Sequence, residues 1–221
     1  MKYSWLVMLV TVAIGHAQTG TNDQRSRDIF KELIEINTTD TPTGNVTRAA
    51  EAVGARLKAA GFSASDVRVL GPDPRKGNLV ARLRGTGTGK PLLLLAHLDV
   101  VEANREDWSF DPFTFLEKDG FFYGRGTSDD KSMAAQFVAN LIRLKEEGFT
   151  SDRDLILALT ADEEGGTFNG VEWLVKNHRE LIDAEFALNE GGGGRMRGGK
   201  YLTNEIQASE PNWIAAKGSI Q

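Results

Sequence analysis

The sequence predicts an α/β protein, a three-layer αβα sandwich with a mostly parallel central sheet, and three observations support this prediction. Strand-like and helix-like segments alternate along the central part of the chain. Several predicted strands are apolar at consecutive positions, as in PLLLLA and LILAL, which is typical of strands covered by helices on both faces. Polar and acidic residues directly follow these runs, and the carboxyl ends of strands are where such sheets bind ligands.

The elements follow from the spacing of the apolar residues. After a flexible lead over 18–22, apolar side chains at helical spacing predict helices on either side of a polar loop at 38–44. The predicted helices are 23–36, 45–60, 131–147 and 170–181. The predicted strands are 66–70, 78–83, 91–96, 121–123, 154–160 and 185–189. The glycines at 191–194 form a low-complexity stretch that can bring the backbone close to a site.

The composition narrows the classes of function. The formal net charge is -5 over 221 residues and the sequence has no basic run, so we expect no nucleic-acid partner. The chain has no cysteine, which excludes disulfides, thiolate zinc sites and cysteine nucleophiles. Any metal ion must therefore be held by histidine, carboxylates and water.

The N-terminus has the pattern of a secretory signal peptide. Lys2 precedes an almost wholly apolar stretch over 5–14, and small residues at 15 and 17 offer a cleavage site. The apolar stretch is short for a membrane span, and an uncleaved anchor is the alternative. We expect residues 1–17 to be removed, which predicts a periplasmic or secreted protein that is not held at the membrane after cleavage.

His97 and Asp99 come directly after the apolar run LLLLA. Residues two apart on a strand point to the same face. A metal-bound imidazole usually donates its other N–H to an oxygen acceptor that fixes the ring. Asp99 is placed to orient His97 in this way, directly or through its neighbour. The alternative is a lone histidine followed by a surface aspartate.

The segment GRGTSDDK leads into the predicted helix at 131–147. Asp129 either turns its carboxylate into a site or, like Ser128, caps that helix. The flanking glycines at 124 and 126 favour the first interpretation, because they permit a tight turn that aims the carboxylate inward.

Glu163 and Glu164 follow the strand LILALT. Adjacent side chains point in different directions, so one can bind a metal while the other takes a proton from a metal-activated water. Two neighbouring acids repel each other unless a cation compensates, and a solvated acidic turn is the alternative. Glu190 ends a further apolar run. A glutamate there is ordinary, and it is a candidate ligand only because it is the fourth place where potential ligands follow an apolar run. His178, on a polar helix end, is expected to lie at the surface.

Together these segments resemble the co-catalytic zinc peptidases and amidohydrolases that include aminoacylase, carboxypeptidase S, carboxypeptidase G and succinyl-diaminopimelate desuccinylase. The resemblance runs in order through AHLDVV, GRGTSDDKS, TADEEGG and FALNEGGGG. It implies a fold of the zinc-peptidase type and two zinc ions, with cobalt or manganese as substitutes. It also implies hydrolysis of an amide bond in a peptide or N-acyl amino acid, and an enzyme that is often a homodimer.

The resemblance further implies roles for individual residues. Asp99 corresponds to the partner that orients the histidine, and Glu163 to the general base. The implied metal ligands are His97, Asp129, Glu164 and Glu190. Among these ligands, Asp129 corresponds to the carboxylate that bridges the two ions, and Glu190 shares an ion with the histidine.

The sequence departs from this family in one important respect. Members continue with a lid or dimerisation domain and a further catalytic segment that supplies another zinc histidine, whereas no histidine follows His178 here. The second ion would have Asp129 and Glu164 but no imidazole. We therefore expect a truncated fold, in which 18–210 form the N-terminal part of the catalytic domain and 211–221 an atypical tail.

Two functions remain open from the sequence. One is an exported zinc-dependent hydrolase of peptides or N-acyl amino acids. The other is a catalytically incomplete, metal-binding fragment of such an enzyme. A hydrolase with a single zinc ion fits the pair Glu163 and Glu164 less well, because an adjacent base and ligand match the two-metal pattern.

Overall fold

The computed structural model describes residues 14–191 and 194–204. The chain divides into two compact units, Met1–Leu188 and Asn189–Gln221. Most of the predicted signal segment and the predicted tail at 211–221 lie outside the described residues. Within the described part, no helix has the length and apolar character needed to cross a membrane.

The first unit contains the helices and the main sheet. Its strands are β1 (Val67–Leu70), β2 (Asn78–Leu83), β3 (Leu92–His97), β4 (Leu116–Lys118), β5 (Phe121–Tyr123), β6 (Leu155–Thr160) and β7 (Phe186–Leu188). Its helices are α1 (Ile14–Glu35), α2 (Val46–Ala59), α3 (Lys131–Glu146), α4 (Gly170–Asn177) and α5 (Arg179–Ile182).

Five strands form a mixed sheet in the order β1-β2-β6-β3-β7. Strand β3 is parallel to both of its neighbours, whereas β1 and β2 are antiparallel at one edge. Leu92 pairs with Leu155 at one end of β3, and His97 pairs with Thr160 at the other. Because β3 and β6 end together, the residues that follow them lie at the same edge of the sheet.

Helices cover both faces of this sheet. Along β6, Leu157 and Leu159 pack into a large core with apolar residues of α1, α2 and α3, and the intervening Ile156 and Ala158 pack with Leu174 of α4 on the opposite face. This alternation follows from the period of two along a strand. The predicted three-layer αβα arrangement with parallel strands at its centre is confirmed.

The predicted flexible lead at 18–22 is wrong, because these residues belong to α1. Tertiary contacts account for the longer helix. The guanidinium of Arg25 lies 2.6 Å from a carboxylate oxygen of Glu146 on α3, and the amide of Asn22 donates to Asn140 of the same helix. The N-terminal part of α1 is therefore stabilised by polar contacts with a neighbouring helix, which apolar spacing in the sequence does not indicate.

Two further boundaries differ from the sequence prediction. The predicted helix at 170–181 is broken at His178, whose φ of -146° and ψ of 38° lie outside the helical region, so α4 and α5 are separate. Strand β5 pairs with β4 across Asp119-Gly120, where both residues have positive φ. An Asp-Gly turn of this kind is a strong hairpin signal, but β4 is not among the strands predicted from the sequence.

The second unit contains a hairpin that the sequence did not predict. Strand β8 (Gly194–Arg197) pairs with β9 (Lys200–Asn204), and a bulge interrupts the register after Arg195. The two glycines of the turn, Gly198 and Gly199, have positive φ. The many glycines of this segment indicate a loop, so the short strands on either side of the turn are not predicted from the sequence.

Candidate metal centre

His97, the last residue of β3, is almost completely buried, with 2% of its surface exposed. Its Nδ1 lies 3.0 Å from the backbone oxygen of Asp99 and 3.6 Å from a carboxylate oxygen of the same residue. A neutral ring that donates its Nδ1–H to this carbonyl has its lone pair on Nε2, where it can bind a metal ion. The contact between Asp99 and the ring thus runs through the backbone carbonyl.

The Nε2 atom of His97 faces acidic side chains from two other segments. It lies 2.9 Å from Oδ1 of Asp129 and 3.9 Å from Oε2 of Glu163. One donor atom each from His97, Asp129 and Glu164 lie within 4.8 Å of one another. The fold therefore brings together three of the four ligands that the sequence suggested.

The turn before α3 determines where the Asp129 carboxylate points. Gly126 has a φ of 90°, and a Cβ atom there would lie 2.9 Å from the side chain of Lys131 and 3.0 Å from that of Val100. The N-cap of α3 is Asp130, whose side chain makes no capping hydrogen bond. Asp129 is therefore not the cap. Its carboxylate faces the imidazole, and its peptide bond to Asp130 is cis.

Asp130 is a part of the site to which the sequence assigned no role. Its carboxylate is buried and accepts the backbone N–H of His97 at 3.4 Å. Burial raises the pKa of Asp130 to about 6, and the nearby charges of Asp129 and Glu163 act in the same direction, against the opposing effect of His97. The only feature of the sequence that points to Asp130 is its place in the pair Asp129-Asp130. A pair alone does not indicate which of the two carboxylates is buried.

The carboxylate of Asp99 holds the segment that carries the two glutamates. It accepts the backbone N–H of Glu163 at 3.1 Å and that of Glu164 at 3.0 Å. We call residues 162–168 the glutamate loop. Asp99 thus contacts the histidine with its backbone and the glutamate loop with its side chain, so a single residue connects two motifs that are far apart in the sequence.

The electrostatics of the cluster favour a cation. Burial raises the pKa of Glu164, and the negative charge of Asp129 raises it further, while His97 acts against both. Carboxylates crowded around one imidazole repel each other unless a positive charge lies between them. One imidazole nitrogen with carboxylate oxygens is a donor set that suits zinc. The residues therefore fit the zinc ion implied by the resemblance.

The two remaining candidates from the sequence are Glu190 and His178. Glu190 follows β7 by two residues and belongs to the second unit, so its role as a ligand stays a prediction. His178 lies between α4 and α5, partly exposed, with its ring 5.0 Å from that of Trp173. It is absent from the metal-ligand groups found among the described residues, in line with the surface position expected for it.

Comparison with known proteins identifies the family. The model of peptidase family M20/M25/M40 matches residues 93–207, a range that includes every predicted site residue. The chain belongs to peptidase family M20/M25/M40. The resemblance read from the motifs is confirmed, and the chain is thus a member of a family of metallohydrolases.

The relatives of this M20 chain include two kinds of amidohydrolase. Aminoacylase-1 of Sus scrofa is 34% identical over 168 residues, which cover 74% of this chain and 40% of that protein. Succinyl-diaminopimelate desuccinylase of Delftia acidovorans (strain DSM 14801 / SPH-1) is 43% identical over 113 residues, covering 50% of this chain and 29% of that protein. The chain thus spans less than half the length of these relatives.

Solved structures of the same fold have lower sequence identity. The M20 family metallo-carboxypeptidase Sso-CP2 from Sulfolobus solfataricus matches with a TM-score of 0.64 at 19% identity, covering 76% of this chain and 37% of its own. Human carnosine dipeptidase 1 matches with a TM-score of 0.62 at 20% identity, covering 80% and 41%. These matches support the αβα fold of the M20 chain.

Proposed function

We propose that this chain carries the metal-binding and proton-handling residues of an exported, zinc-dependent hydrolase that cleaves an amide bond in a peptide or N-acyl amino acid. The main support is the convergence of His97, Asp129 and Glu164 within 4.8 Å, with Glu163 beside them. The relatives include an aminoacylase, a desuccinylase, a carboxypeptidase and a dipeptidase, and their names favour a substrate of this class.

The chemistry divides between the ion and the side chains. When bound, zinc supplies Lewis-acid chemistry, which polarises a carbonyl group and makes water easier to deprotonate. His97, Asp129 and Glu164 would hold it. Glu163 is 47% exposed and faces the same space as the Nε2 atom of the histidine. Its carboxylate can therefore take a proton from water and deliver it to the leaving nitrogen.

Two buried aspartates fix the orientation of the proposed ligands and base. Asp99 orients the imidazole through its carbonyl and both glutamates through its carboxylate. The carboxylate of Asp130 accepts a hydrogen bond from the backbone N–H of the histidine. Fixed ligands and a fixed base keep the reacting groups close to the geometry of the transition state, which is a large part of catalytic power.

A second candidate function is metal binding without turnover. The observation in its favour is that His97 is the one histidine in the ligand groups found among the described residues, and hydrolysis with two ions needs a further set of ligands. Glu190 is proposed to share an ion with His97, so it does not complete that further set. Both candidates require the same histidine-centred site, and they differ in whether a substrate is consumed.

The test measures zinc content and hydrolysis on the same purified preparation. We expect His97→Ala to lose zinc, and His178→Ala, the matched control, to keep it. A panel of dipeptides and N-acetyl amino acids, assayed for released amines, separates the two candidates. If turnover is found, Glu163→Gln should abolish it and keep the zinc. Equal zinc binding by the wild type and His97→Ala would contradict both candidates.

We also propose export through residues 1–17. The support is the positive Lys2, the apolar stretch over 5–14 and the small residues that precede Gln18. Sequencing the N-terminus of the protein recovered from a periplasmic or secreted fraction should give Gln18 as the first residue. An intact Met1 in the cytoplasmic fraction would rule out this proposal.

A further inference from the structure

Lys76 is a buried cation that joins two carboxylates from distant parts of the chain. Its Nζ lies 2.5 Å from Oδ1 of Asp162 and 2.5 Å from Oδ1 of Asp40. The side chain of Lys76 is 8% exposed and that of Asp162 is 0% exposed, whereas Asp40 is largely in solvent. Removing one partner of a buried ion pair leaves an uncompensated charge in a place that water does not reach.

Asp162 is the first residue of the glutamate loop and closes it. Its Oδ2 accepts the backbone N–H of Phe168 at 3.1 Å, and its backbone oxygen accepts the side-chain amide of Asn169 at 3.2 Å. Gly166 passes directly over this carboxylate, since a Cβ atom there would lie 2.4 Å from Oδ2. The conformation of the loop therefore depends on the Asp162 carboxylate staying in place.

The glutamate loop is thus held from two sides. Asp99 accepts the N–H groups of Glu163 and Glu164 themselves, while Lys76 fixes the carboxylate that joins the two ends of the loop. Asp99 makes no hydrogen bond to Asp162, the residue before Glu163, in the contacts described above. Lys76 fixes the position of Asp162, because its ammonium group binds the Asp162 carboxylate.

Lys76 also connects the glutamate loop to the polar loop at 38–44. Asp40 lies in that loop and contacts the same ammonium group. Its neighbour Thr39 forms a backbone bridge with Val100, the residue after Asp99. The glutamate loop and the polar loop therefore meet at one cation, and the polar loop also pairs with the segment that follows Asp99.

We propose that Lys76 is a positioning residue, which sets the direction of Glu163 by holding the Asp162 carboxylate that closes the glutamate loop. This inference rests on the proposed function, since it assigns Lys76 a part in the same reaction. It goes beyond that function in placing a determinant of catalysis outside the metal cluster, on the segment that precedes β2.

The first test uses the metal-free protein, so that it does not depend on the proposed function. Hydrogen–deuterium exchange would be measured by mass spectrometry in the wild type and in Lys76→Met, Lys76→Arg and the exposed control Lys90→Met. We expect faster exchange in the glutamate loop of Lys76→Met with unchanged exchange in α3. Lys76→Arg should restore protection, because it keeps the cation, and Lys90→Met should match the wild type.

The second test uses the zinc-loaded protein. We expect Lys76→Met to lower kcat by roughly 10- to 100-fold, the range typical of removing a residue that supports the ligands of a metal site. KM and zinc content should stay close to the wild-type values, because the lysine contacts neither substrate nor ion. An equal loss in Lys76→Arg and Lys76→Met would overturn the proposal.

A neutral double variant covers the case in which Lys76→Met does not fold. Lys76→Met/Asp162→Asn removes the cation without leaving a buried charge unpaired, so it should fold and still show faster exchange in the glutamate loop. Exchange that is unchanged there, or raised equally throughout the chain, would overturn the positioning role. A wild type that binds no zinc would contradict the proposed function, whereas the exchange result would still decide the role of Lys76 in holding the loop.

Discussion

The ring of His97 is bound to the backbone of Asp99, with Nδ1 3.0 Å from its carbonyl oxygen. This leaves both carboxylate oxygens of Asp99 to accept the N–H groups of Glu163 and Glu164. Residues two positions apart on one strand are expected to share a face, but here the chain turns directly after β3. The aspartate therefore joins the proposed ligand His97 to the proposed base Glu163 and to the proposed ligand Glu164.

Asp99→Ala should separate these two functions, because it keeps the carbonyl that orients the imidazole and removes the buried carboxylate that accepts two partly buried N–H groups. A hydrogen bond to a charged group contributes about 1.5–3 kcal/mol. We expect a loss of that order in the free energy of unfolding, measured by urea titration of the metal-free protein. Asp23→Ala, an exposed change on α1, is the matched control. A loss no larger than in this control would show that the glutamate loop is held by other contacts.

Lys131 is fully buried, and its Nζ donates to the carbonyl oxygens of Leu33 and Ile36 at the end of α1, at 2.8 and 2.9 Å. Burial lowers the pKa of Lys131 to about 7. Lys131→Ala removes both donors and opens a cavity, which typically costs 2–5 kcal/mol for a large-to-small change in a core. Lys131→Met fills most of that space and should cost less.

The two Lys131 variants are compared by chemical unfolding at one pH, with Lys58→Ala on the exposed face of α2 as control. A surface change of this kind stays within about 0.5 kcal/mol of the wild type. If Lys131→Met were less stable than Lys131→Ala, shielding the two α1 carbonyls from water with an apolar side chain would cost more than the cavity that the side chain fills.

Asp154 should give the protein a component of stability that acid removes. Burial tends to raise its pKa, but hydrogen bonds from Arg82, 2.8 Å away, and from the backbone N–H of Gly85 outweigh burial, so the pKa of Asp154 is lowered below its usual 3.8. The folded state therefore binds this proton less readily than the unfolded chain. The resulting stabilisation is complete above pH 3.8 and is lost as the pH falls through the lower folded-state pKa.

The variant Asp154→Asn tests this directly. At pH 7 it should be less stable than the wild type by about 1.5–3 kcal/mol, the size of a hydrogen bond to a charged group, and the difference should shrink as the pH is lowered below about 4. Asp152→Asn, whose side chain is 64% exposed, should show no such convergence. A difference that stays constant down to pH 3 would assign the effect to packing.

The sequence predicted the sheet well because apolar runs report burial directly. The predicted bounds of strands β3 and β6 agree with the structure to within one residue, since each strand is covered on both faces and is apolar up to its last residue. Helix α1 was predicted too short, because contacts such as that between Arg25 and Glu146 come from another element and leave no periodic signal.

The candidate site was predictable as far as it depends on the ends of strands. His97, Asp129 and Glu164 were named from their position after strands or before a helix, and the fold brings them together. The contact between Lys76 and Asp162 was not predictable, because these two residues are separated by 86 positions of sequence. An ion pair of this kind depends on which loops the topology brings into contact.

Zinc should stabilise the folded protein, because a ligand that binds the folded state alone raises the free energy of unfolding by about 2.7 kcal/mol at 100 times its Kd. We therefore expect added zinc to raise the midpoint of thermal unfolding and a chelator to reverse the change. His97→Ala should abolish the response, since it removes the nitrogen donor around which the carboxylates converge. Glu164→Gln should weaken it, since an amide is a poorer zinc ligand than a carboxylate.

The control for zinc dependence is Glu163→Gln, because the proposed base lies beside the ion without being required to hold it. Its thermal response to zinc should match that of the wild type. If Glu163→Gln lost the response while Glu164→Gln kept it, the assignment of base and ligand would be reversed. That outcome differs from the absence of a zinc site, because the wild type would still respond to zinc and His97→Ala would not. The histidine would then remain a ligand, and only the roles of the two glutamates would be exchanged.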